Sequence, residues 1–436
     1  MLDKKVMIDL EQEKIVKVVL LAAYFSKRDE GACQEHLDEL ANLSNTLGLE
    51  VEGRFPCFLR KCESKTYFTK GKLAEAVAYA KGLKVDLVVL DDEITPSQQR
   101  NIEEAFGCKV IDRTEVILEV FAKRAQTKEA QIQIDIAKVQ YQIPRLKRLW
   151  THLHRQGGGS GLAVKGEGEK QLELDKRLLS HRLEKLKRDL KDVCSSRETQ
   201  RTARERAEVP TFALIGYTNV GKSTLMNALT EAGVLVEDKL FATLDTTTRK
   251  YILSNNQEVL LIDTVGFIRK LPHDLVEAFK STLEEAFRAD ILLHLVDISH
   301  PYAIQQSKAV YDVLKELNVR DKAIITVLNK GDVCDDQEIR AYMNLHHPEN
   351  VEISALEGTG FDLLGDRMIE ELKDRRQKLC LRIPQSDYRS FSNLLENGEI
   401  IEQEYEGNDI LVKAEVPRNI VFQFEKFIVE EVKDGE

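Results

Sequence analysis

The segment from Gly216 to Ser223 has the composition of a loop that binds phosphate groups. It reads GYTNVGKS, which fits the pattern GxxxxGK[ST], between an apolar strand predicted over Thr211–Ile215 and a helix predicted from Thr224. Glycines let the backbone curl so that successive N–H groups face an anion, and the following helix presents the positive end of its dipole. The loop therefore predicts nucleotide binding, with Lys222 on the β- and γ-phosphates and the Ser223 hydroxyl on Mg²⁺. The predicted phosphate-binding residues are Gly216, Tyr217, Thr218, Asn219, Val220, Gly221, Lys222 and Ser223.

A second motif bears on which base is bound. Asn329-Lys330-Gly331-Asp332 follows the apolar run Ala323–Leu328, at the carboxyl end of a predicted strand, where open α/β sheets bind ligands. A carboxylate at Asp332 can accept hydrogen bonds from N1–H and N2–H₂ of guanine, whereas adenine offers no such donor pair. Asn329 can tie this loop to the phosphate loop, and the stem of Lys330 can lie against the base. The pair of motifs predicts guanine nucleotides.

Two further segments lie in the order expected of a nucleotide switch. Asp263-Thr264-Val265-Gly266 follows the apolar run Val259–Ile262, so Asp263 can hold Mg²⁺ through water and the Gly266 N–H can sense a γ-phosphate. Between this motif and the phosphate loop, Phe241-Ala242-Thr243-Leu244-Asp245-Thr246-Thr247-Thr248 supplies hydroxyls, one of which should ligate Mg²⁺; spacing alone does not say which. Ser354-Ala355-Leu356 can contact the guanine O6 through backbone N–H groups.

The elements around these motifs predict four domains. Strand and helix patterns alternate over residues 1–125 and again over 207–375, which is typical of small α/β domains with a parallel sheet. In the first of them, Thr95 and Pro96 predict the start of a helix that runs to Phe106. Residues 376–436 predict a small α+β module, with a strand over Asp409–Ala414 and a helix over Ile420–Phe427.

The remaining region, residues 126–206, predicts an antiparallel helical hairpin. Apolar residues repeat with heptad spacing in two runs that are joined by the glycine-rich stretch Gly157–Gly161, although Pro144 should kink the first helix. Residues 131–210 carry 18 Lys or Arg against 11 Asp or Glu, and no acid occurs between Asp135 and Glu167. The hairpin tip is therefore predicted to be a basic end suited to RNA phosphates. Its cations are Arg145, Lys147, Arg148, Arg155 and Lys165.

Composition limits the class of protein. The 436 residues carry a formal net charge of −11, which argues against a uniformly basic nucleic-acid binder, and no apolar run reaches the length of a membrane helix. No signal peptide is recognised, and the 7 cysteines include no CxxC pair. These features predict a cytoplasmic chain with reduced thiols and without structural zinc.

The motifs, taken in order, resemble those of a translation-factor-class P-loop GTPase, and other segments resemble the HflX family in particular. The resemblance covers about residues 10 to 430. The segments that carry it beyond the GTPase motifs are Ile94–Asn101, Val110–Thr114, Ala122–Ala130, Pro144–Leu146, Gly157–Gly161 and Phe241–Arg249.

This resemblance implies a GTPase that binds the large ribosomal subunit and splits stalled or idle ribosomes. It implies Ser223 and Thr243 as Mg²⁺ ligands and a monomer whose hairpin approaches ribosomal RNA. The implied catalytic residues are Lys222, Thr243, Gly266 and Asn219, the last beside a K⁺ ion in related GTPases. The implied nucleotide-binding residues outside the phosphate loop are Phe241, Ala242, Thr243, Leu244, Asp245, Asp263, Thr264, Val265, Gly266, Asn329, Lys330, Gly331, Asp332, Ser354, Ala355 and Leu356.

One position departs from the Ras-like pattern. Ras-like proteins carry a water-orienting Gln directly after DxxG, and this chain has Phe267, which cannot hydrogen-bond to water. We therefore expect slow intrinsic hydrolysis that the large subunit stimulates.

Two other functions fit parts of the sequence. A signalling GTPase could use the heptads to dock a protein partner, and an RNA-remodelling NTPase would need a second nucleotide site in residues 1–125. That domain has no phosphate loop, and the acid-free tip favours RNA over a protein partner.

Overall fold

The computed structural model describes residues 15–146, 165–205, 209–230, 241, 246–270, 288–317, 319 and 322–431. Within helix 165–205, side chains are described only over 173–193. Two compact units are present: the first holds the chain up to Cys194 together with Phe241 and Lys270, and the second holds the other described residues. The domain boundaries expected at residues 125, 206 and 375 stay predictions.

The first unit is built on a four-stranded parallel sheet with the order β2-β1-β3-β4. Its central strands are continuous apolar runs because helices cover both faces of a parallel sheet. The strands are β1 (Lys17–Tyr24), β2 (Glu50–Phe58), β3 (Leu87–Leu90) and β4 (Lys109–Asp112). The helices around them are α1 (Glu30–Leu47), α2 (Lys70–Leu83), α3 (Pro96–Phe106) and α4 (Arg113–Arg124).

Local sequence signals fix several ends of these helices. The helix predicted at Pro96 is confirmed: the Thr95 hydroxyl accepts from the Gln98 N–H, and the Gln98 side chain accepts from the Thr95 N–H. Helix α1 ends at Gly48, whose φ of 88° lies in the left-handed region that glycine adopts without strain.

Two longer helices follow, α5 (Lys128–Gln142) and α6 (Lys165–Glu205). The heptad residues Ile132, Ile136 and Val139 of α5 are buried, and Arg182 of α6 forms an ion pair with Asp135 of α5. The disturbance expected at Pro144 is present, since α5 ends at Gln142 and passes into a 3₁₀ turn over Ile143–Arg145. Of the expected glycine-rich tip, residues 145–165, positions 147–164 lie outside the described residues.

The second unit contains a six-stranded sheet with the order β10-β9-β8-β5-β7-β6. All pairs are parallel except β6 with β7, so the predicted, mostly parallel GTPase-type sheet is confirmed. The strands are β5 (Thr211–Gly216), β6 (Thr247–Ile252), β7 (Glu258–Asp263), β8 (Ile291–Asp297), β9 (Ala323–Asn329) and β10 (Val351–Glu352). The described helices beside it are α7 (Lys222–Thr230), α8 (Ala303–Glu316), α9 (Gln337–His346) and α10 (Phe361–Glu371).

A separate antiparallel sheet with the order β12-β13-β11-β14 completes this unit. Its elements are β11 (Arg376–Pro384), α11 (Tyr388–Asn397), β12 (Glu399–Glu406), β13 (Asp409–Pro417) and β14 (Ile428–Glu431). The strand predicted at Asp409 is confirmed. The helix predicted over Ile420–Phe427 is wrong: this stretch forms two short 3₁₀ turns that bury Phe424 and Phe427 against the sheet. Among all described helices, none is long and apolar enough to span a membrane.

Candidate nucleotide site

The phosphate loop connects strand β5 to helix α7, as the sequence predicts. Gly216 has φ 153° and Gly221 has φ 93°, conformations that side chains rarely adopt. A Cβ atom at Gly216 would also lie 2.5 Å from the carbonyl oxygen of Leu295, and one at Gly221 would collide with the side-chain nitrogen of Asn329. Glycine at these two positions lets the loop curl tightly at the carboxyl edge of the sheet.

The ammonium group of Lys222 lies inside this loop. It donates hydrogen bonds to the carbonyl oxygens of Gly216 at 3.2 Å and Tyr217 at 2.7 Å. Burial lowers the pKa of Lys222 to about 8, and the nearby Asp263 carboxylate partly opposes this shift. A bound phosphate would supply the negative charge that a buried ammonium lacks.

Ser223 and Asp263 come together beside the loop. The Ser223 hydroxyl donates to a carboxylate oxygen of Asp263 at 2.8 Å, which joins the first turn of α7 to the end of β7. A hydroxyl and a carboxylate are the oxygen donors that Mg²⁺ takes next to nucleotide phosphates, so this pair fits that ion. Among the described residues no cluster of three or more His, Cys, Asp or Glu forms another metal site.

The segment after Asp263 is hydrogen-bonded to the phosphate loop through its backbone. Phe267 donates its N–H to the Gly216 carbonyl at 3.0 Å and accepts from the Thr218 N–H at 2.8 Å. Two residues on, the Arg269 N–H donates to the Tyr217 hydroxyl at 2.9 Å. The Phe267 side chain is only 2% exposed, so the residue after DxxG is part of the core and presents no polar group.

Gly266 lies against this paired segment. A Cβ atom there would be 2.9 Å from both Cα and Cγ2 of Thr218 and 3.0 Å from Nζ of Lys222. Thr264 is buried, with its hydroxyl donating to the Leu214 carbonyl at 2.6 Å, and Val265 is also buried. The DxxG motif is therefore anchored by its middle residues and closely packed at its glycine.

Asn329 joins the second motif to the phosphate loop. Its side-chain nitrogen donates to the Val220 carbonyl at 2.7 Å, and its side-chain oxygen accepts from the Ala355 N–H at 2.9 Å. One buried amide thus connects the phosphate loop with both loops that are expected to surround the base. In this arrangement the Ala355 N–H is used by Asn329, and the Ser354 N–H donates to the Thr359 carbonyl.

The other residues of the base-side loops are more accessible. Asp332 and Leu356 are exposed, and the Gly331 N–H donates to the Ile353 carbonyl at 3.1 Å. Lys330, with φ 64°, forms an ion pair of 2.6 Å with Asp297 at the end of β8. This ion pair fixes the head of the lysine whose stem the sequence places against the base.

Comparison with known proteins identifies the family of this chain. Residues 34–122 match a family described as "GTP-binding GTPase N-terminal", residues 124–204 "GTP-binding GTPase Middle Region" and residues 211–330 "50S ribosome-binding GTPase". A protein named GTPase HflX from Chlamydia pneumoniae is 46% identical over 94% of this chain and 88% of its own length. The chain belongs to the HflX GTPase family.

A second relative agrees with this placement, and one solved structure is similar in part. GTPase HflX of Escherichia coli is 38% identical over 93% of this chain and 94% of its own length. The solved structure titled "crystal structure of SsGBP and GDP complex" is 25% identical, covers 81% of this chain and 98% of its own, and has a TM-score of 0.45. As a member of the HflX family, the chain binds guanine nucleotides and hydrolyses GTP.

Two residues next to the nucleotide motifs of this HflX-family chain belong to the first unit. The ring of Phe241 is buried with its centroid 4.5 Å from that of Phe121. Lys270 forms ion pairs of 2.6 Å with Asp91 and Asp92. Four predicted site residues, Ala242, Thr243, Leu244 and Asp245, lie outside the described residues.

Arg145 requires a correction, because it is not an exposed cation available to RNA. It is 7% exposed, and its guanidinium donates to Asp112 at 3.0 Å and to the Ile94 carbonyl at 2.9 Å. Burial raises the pKa of Asp112 to about 6, although Arg145 acts to lower it. Lys147, Arg148 and Arg155 lie outside the described residues, as does the side chain of Lys165.

Sequence reasoning missed two polar contacts of the site. The Tyr217 hydroxyl that binds Arg269 carried no motif signal, because its position in GxxxxGK[ST] admits any residue. The pairing of Lys330 with Asp297 could have been found, since Asp297 ends a buried apolar strand next to the one that ends at Asn329.

Proposed function

We propose that this HflX-family GTPase binds the large ribosomal subunit in its GTP-bound state, as a monomer in the cytoplasm, and splits stalled or idle ribosomes. The observation that carries the proposal is the match of residues 211–330 to a family described as "50S ribosome-binding GTPase". The match to HflX proteins over most of the chain supports extending this partner to the whole molecule.

The nucleotide is held between the phosphate loop and the Asn329 motif in this proposal. Lys222 binds the β- and γ-phosphates, and the exposed carboxylate of Asp332 accepts hydrogen bonds from the guanine ring. Asn329 holds the two loops in fixed positions through the bonds to Val220 and Ala355 that are described above. The backbone N–H of Gly266 meets the γ-phosphate once the DxxG segment adjusts around it.

Mg²⁺ is the expected cofactor, with Ser223 and Thr243 as its protein ligands and Asp263 acting through water. When bound, the ion neutralises charge that develops on the phosphate oxygens. Asn219 is exposed at φ 63° in the phosphate loop, where its side chain can help to hold a K⁺ ion beside the phosphates.

The proposed cycle alternates between a GTP-bound form with ordered loops and a GDP-bound form with relaxed loops. GTP orders the loops that contain Thr243 and Asp263, and that ordered form docks on the subunit, where the basic tip disfavours the joined ribosome. Hydrolysis relaxes the loops and releases the protein. Splitting then requires GTP binding, and hydrolysis serves recycling.

Cosedimentation with ribosomes and isolated subunits tests this function. The protein is mixed with each particle in the presence of GDP, GTP or a non-hydrolysable GTP analogue, and the subunit profile is followed on gradients. We expect binding to the large subunit with GTP and with the analogue, and splitting with both. Failure of the analogue to support splitting would contradict the cycle, and absence of binding in every nucleotide state would contradict the partner.

A charge-matched pair of variants tests the role of the tip. Replacing Lys147, Arg148, Arg155 and Lys165 by Gln removes four positive charges from the tip. A control replaces Lys185, Lys187, Arg188 and Lys191, which are exposed on α6, and removes the same charge. We expect subunit-stimulated GTP hydrolysis to fall only in the tip variant. An equal loss in both variants would indicate non-specific attraction to RNA, and stimulation by a protein partner alone would favour a docking GTPase.

Calorimetric titration tests the guanine site separately from the ribosome. The intact chain should bind GTP and GDP far more tightly than ATP. Asp332→Asn should lose guanine affinity, because the amide replaces one of the two acceptor oxygens by an NH₂ group that would oppose N1–H or N2–H₂ of the base. Equal affinity for adenine and guanine nucleotides would overturn the assignment of Asp332.

A further inference from the structure

In the part of the chain that the structure describes, the hydroxyl of Thr218 in the phosphate loop has no hydrogen-bond partner. Thr218 is 6% exposed, and its Oγ1 is fully buried without a partner among the described residues. Its backbone N–H is already used, because it donates to the Phe267 carbonyl. Buried hydroxyls are rarely left unpaired, since burial removes the hydrogen bonds that they make with water. A group that enters the site together with the substrate can supply the missing hydrogen bond.

Thr218 lies beside two groups that are expected to bind the γ-phosphate. Cα and Cγ2 of Thr218 and Nζ of Lys222 all lie within 3.0 Å of one point, the position that a Cβ atom of Gly266 would take. Lys222 is the group that binds the terminal phosphates in loops of this type, and the DxxG glycine is the γ-phosphate sensor. The residue that carries the unpaired hydroxyl is therefore packed, through its backbone and its methyl group, against the two groups that are expected to face the γ-phosphate.

The usual water-orienting side chain is missing from this site. Phe267 occupies the position after DxxG, its ring is buried, and its backbone is paired with Gly216 and Thr218. No rotation of a Phe side chain can bring a polar atom to the attacking water. Another hydroxyl or amide has to fill that role if a side chain fills it at all.

We propose that the Thr218 hydroxyl holds the water that attacks the γ-phosphate. The hydroxyl accepts a hydrogen bond from the water and keeps its own proton. The water oxygen forms a bond to the γ-phosphorus, the bond from phosphorus to the β–γ bridging oxygen breaks, and its electron pair leaves with GDP. The proton of the water passes to the released phosphate. This inference uses GTP hydrolysis alone and does not depend on the ribosome.

Single-turnover and steady-state hydrolysis by the full chain without ribosomes tests the proposal. In Thr218→Val, which keeps the shape and removes the hydroxyl, we expect kcat to fall roughly ten- to hundredfold, while the affinities for GDP and GTP stay unchanged. Thr218→Ser should restore most of the rate. Thr230→Val serves as the control, because among the described residues its hydroxyl bonds within helix α7, at 2.7 Å to the Met226 carbonyl.

Thermal unfolding without nucleotide separates this role from a structural one. Thr218→Val removes an unpaired buried hydroxyl, so its melting temperature should be equal to or higher than that of the parent. A lower rate with undiminished stability supports the proposal. Unchanged kcat in Thr218→Val would overturn it, as would a fall in rate that Ser does not rescue and that accompanies weaker GDP binding.

Discussion

The side-chain amide of Asn329 donates a hydrogen bond of 2.7 Å to the carbonyl oxygen of Val220, which is 109 positions earlier in the chain. The same amide accepts from the Ala355 N–H, so its donor and acceptor sides act on different loops. The contact is buried, and Gly221 is closely packed against it. The shape of the phosphate loop therefore depends on the loop that is proposed to read the base.

Replacing Asn329 by Ala should weaken GDP and GTP binding together. The substitution leaves the Val220 carbonyl and the Ala355 N–H without their partner. The phosphate loop and the loop that contains Ala355 are then no longer held in fixed positions by one side chain. We expect a loss of roughly ten- to a hundredfold in affinity for each nucleotide, measured by calorimetry. Asn350→Ala is the control, because it removes a half-buried amide that bonds to Asn344 and to the His347 carbonyl, away from the nucleotide motifs. A loss confined to GTP would show that Asn329 acts on the γ-phosphate and not on the loops.

The buried ammonium of Lys222 predicts a pH dependence of stability without nucleotide. Its pKa is lowered by burial from 10.5 to about 8, so between these values the unfolded chain binds more protons than the folded chain. The contribution of Lys222 to the free energy of unfolding should therefore rise with pH across that interval, by on the order of 3 kcal/mol.

Urea unfolding of the parent and of Lys222→Met checks this contribution. The difference in unfolding free energy between the two proteins should change from pH 7.5 to pH 10, in favour of the parent at the higher pH. Lys187→Met, which removes an exposed lysine on α6, should give a difference that does not change in this way. A difference for Lys222→Met that is flat across the interval would contradict the burial argument.

Much of the fold followed from short-range signals in the sequence. The capping residues Thr95 and Gln98 and the glycine at 48 set helix ends through contacts within one turn, and the apolar runs of the parallel sheets are buried as their composition requires. The nucleotide motifs could also be located from short stretches of sequence, because each follows an apolar strand.

Long-range pairing is what the sequence could not supply. Arg145 stands in a stretch without acids, and its partner Asp112 is 33 positions away on another element, so charge counting placed it among exposed cations. Strand β2 contains Gly53 and Pro56, which weaken any strand signal, yet it pairs along the whole length of β1 at the sheet edge. Phe424 and Phe427 have helical spacing, but packing onto the last sheet is satisfied by 3₁₀ turns.

The exposed Asn219 predicts dependence on the monovalent cation. If Asn219 helps to hold a K⁺ ion beside the phosphates, as proposed above, intrinsic GTP hydrolysis should be faster in potassium than in sodium buffer. Asn219→Gly should abolish the difference; glycine is preferred to alanine here because the residue has φ 63°. Equal rates of the parent protein in the two salts would remove the cation from the mechanism.

The buried pair of Arg145 and Asp112 makes the last prediction. Arg145 also stacks at 3.6 Å over the ring of Tyr141, whose hydroxyl donates to Asp112 at 2.9 Å. Arg145→Met removes the cation and leaves a buried carboxylate without its charge partner, which should lower the free energy of unfolding by about 3–5 kcal/mol at pH 7.5. The double variant with Asp112→Asn should regain part of that loss, because no uncompensated charge remains.

The pH dependence of the stability loss in Arg145→Met distinguishes a buried ion pair with Asp112 from an exposed position of Arg145. The pKa of Asp112 is already raised by burial to about 6, so its contribution to stability is largest at low pH and is lost as pH rises from 3.8 through 6. Removing Arg145 raises that pKa further, and the destabilisation should be smaller at pH 5 than at pH 7.5. Arg177→Met, at an exposed position on α6, should change stability little at either pH. If Arg145→Met kept full stability and lost only affinity for ribosomal RNA, Arg145 would be an RNA contact after all, and the ion pair with Asp112 would not form in solution.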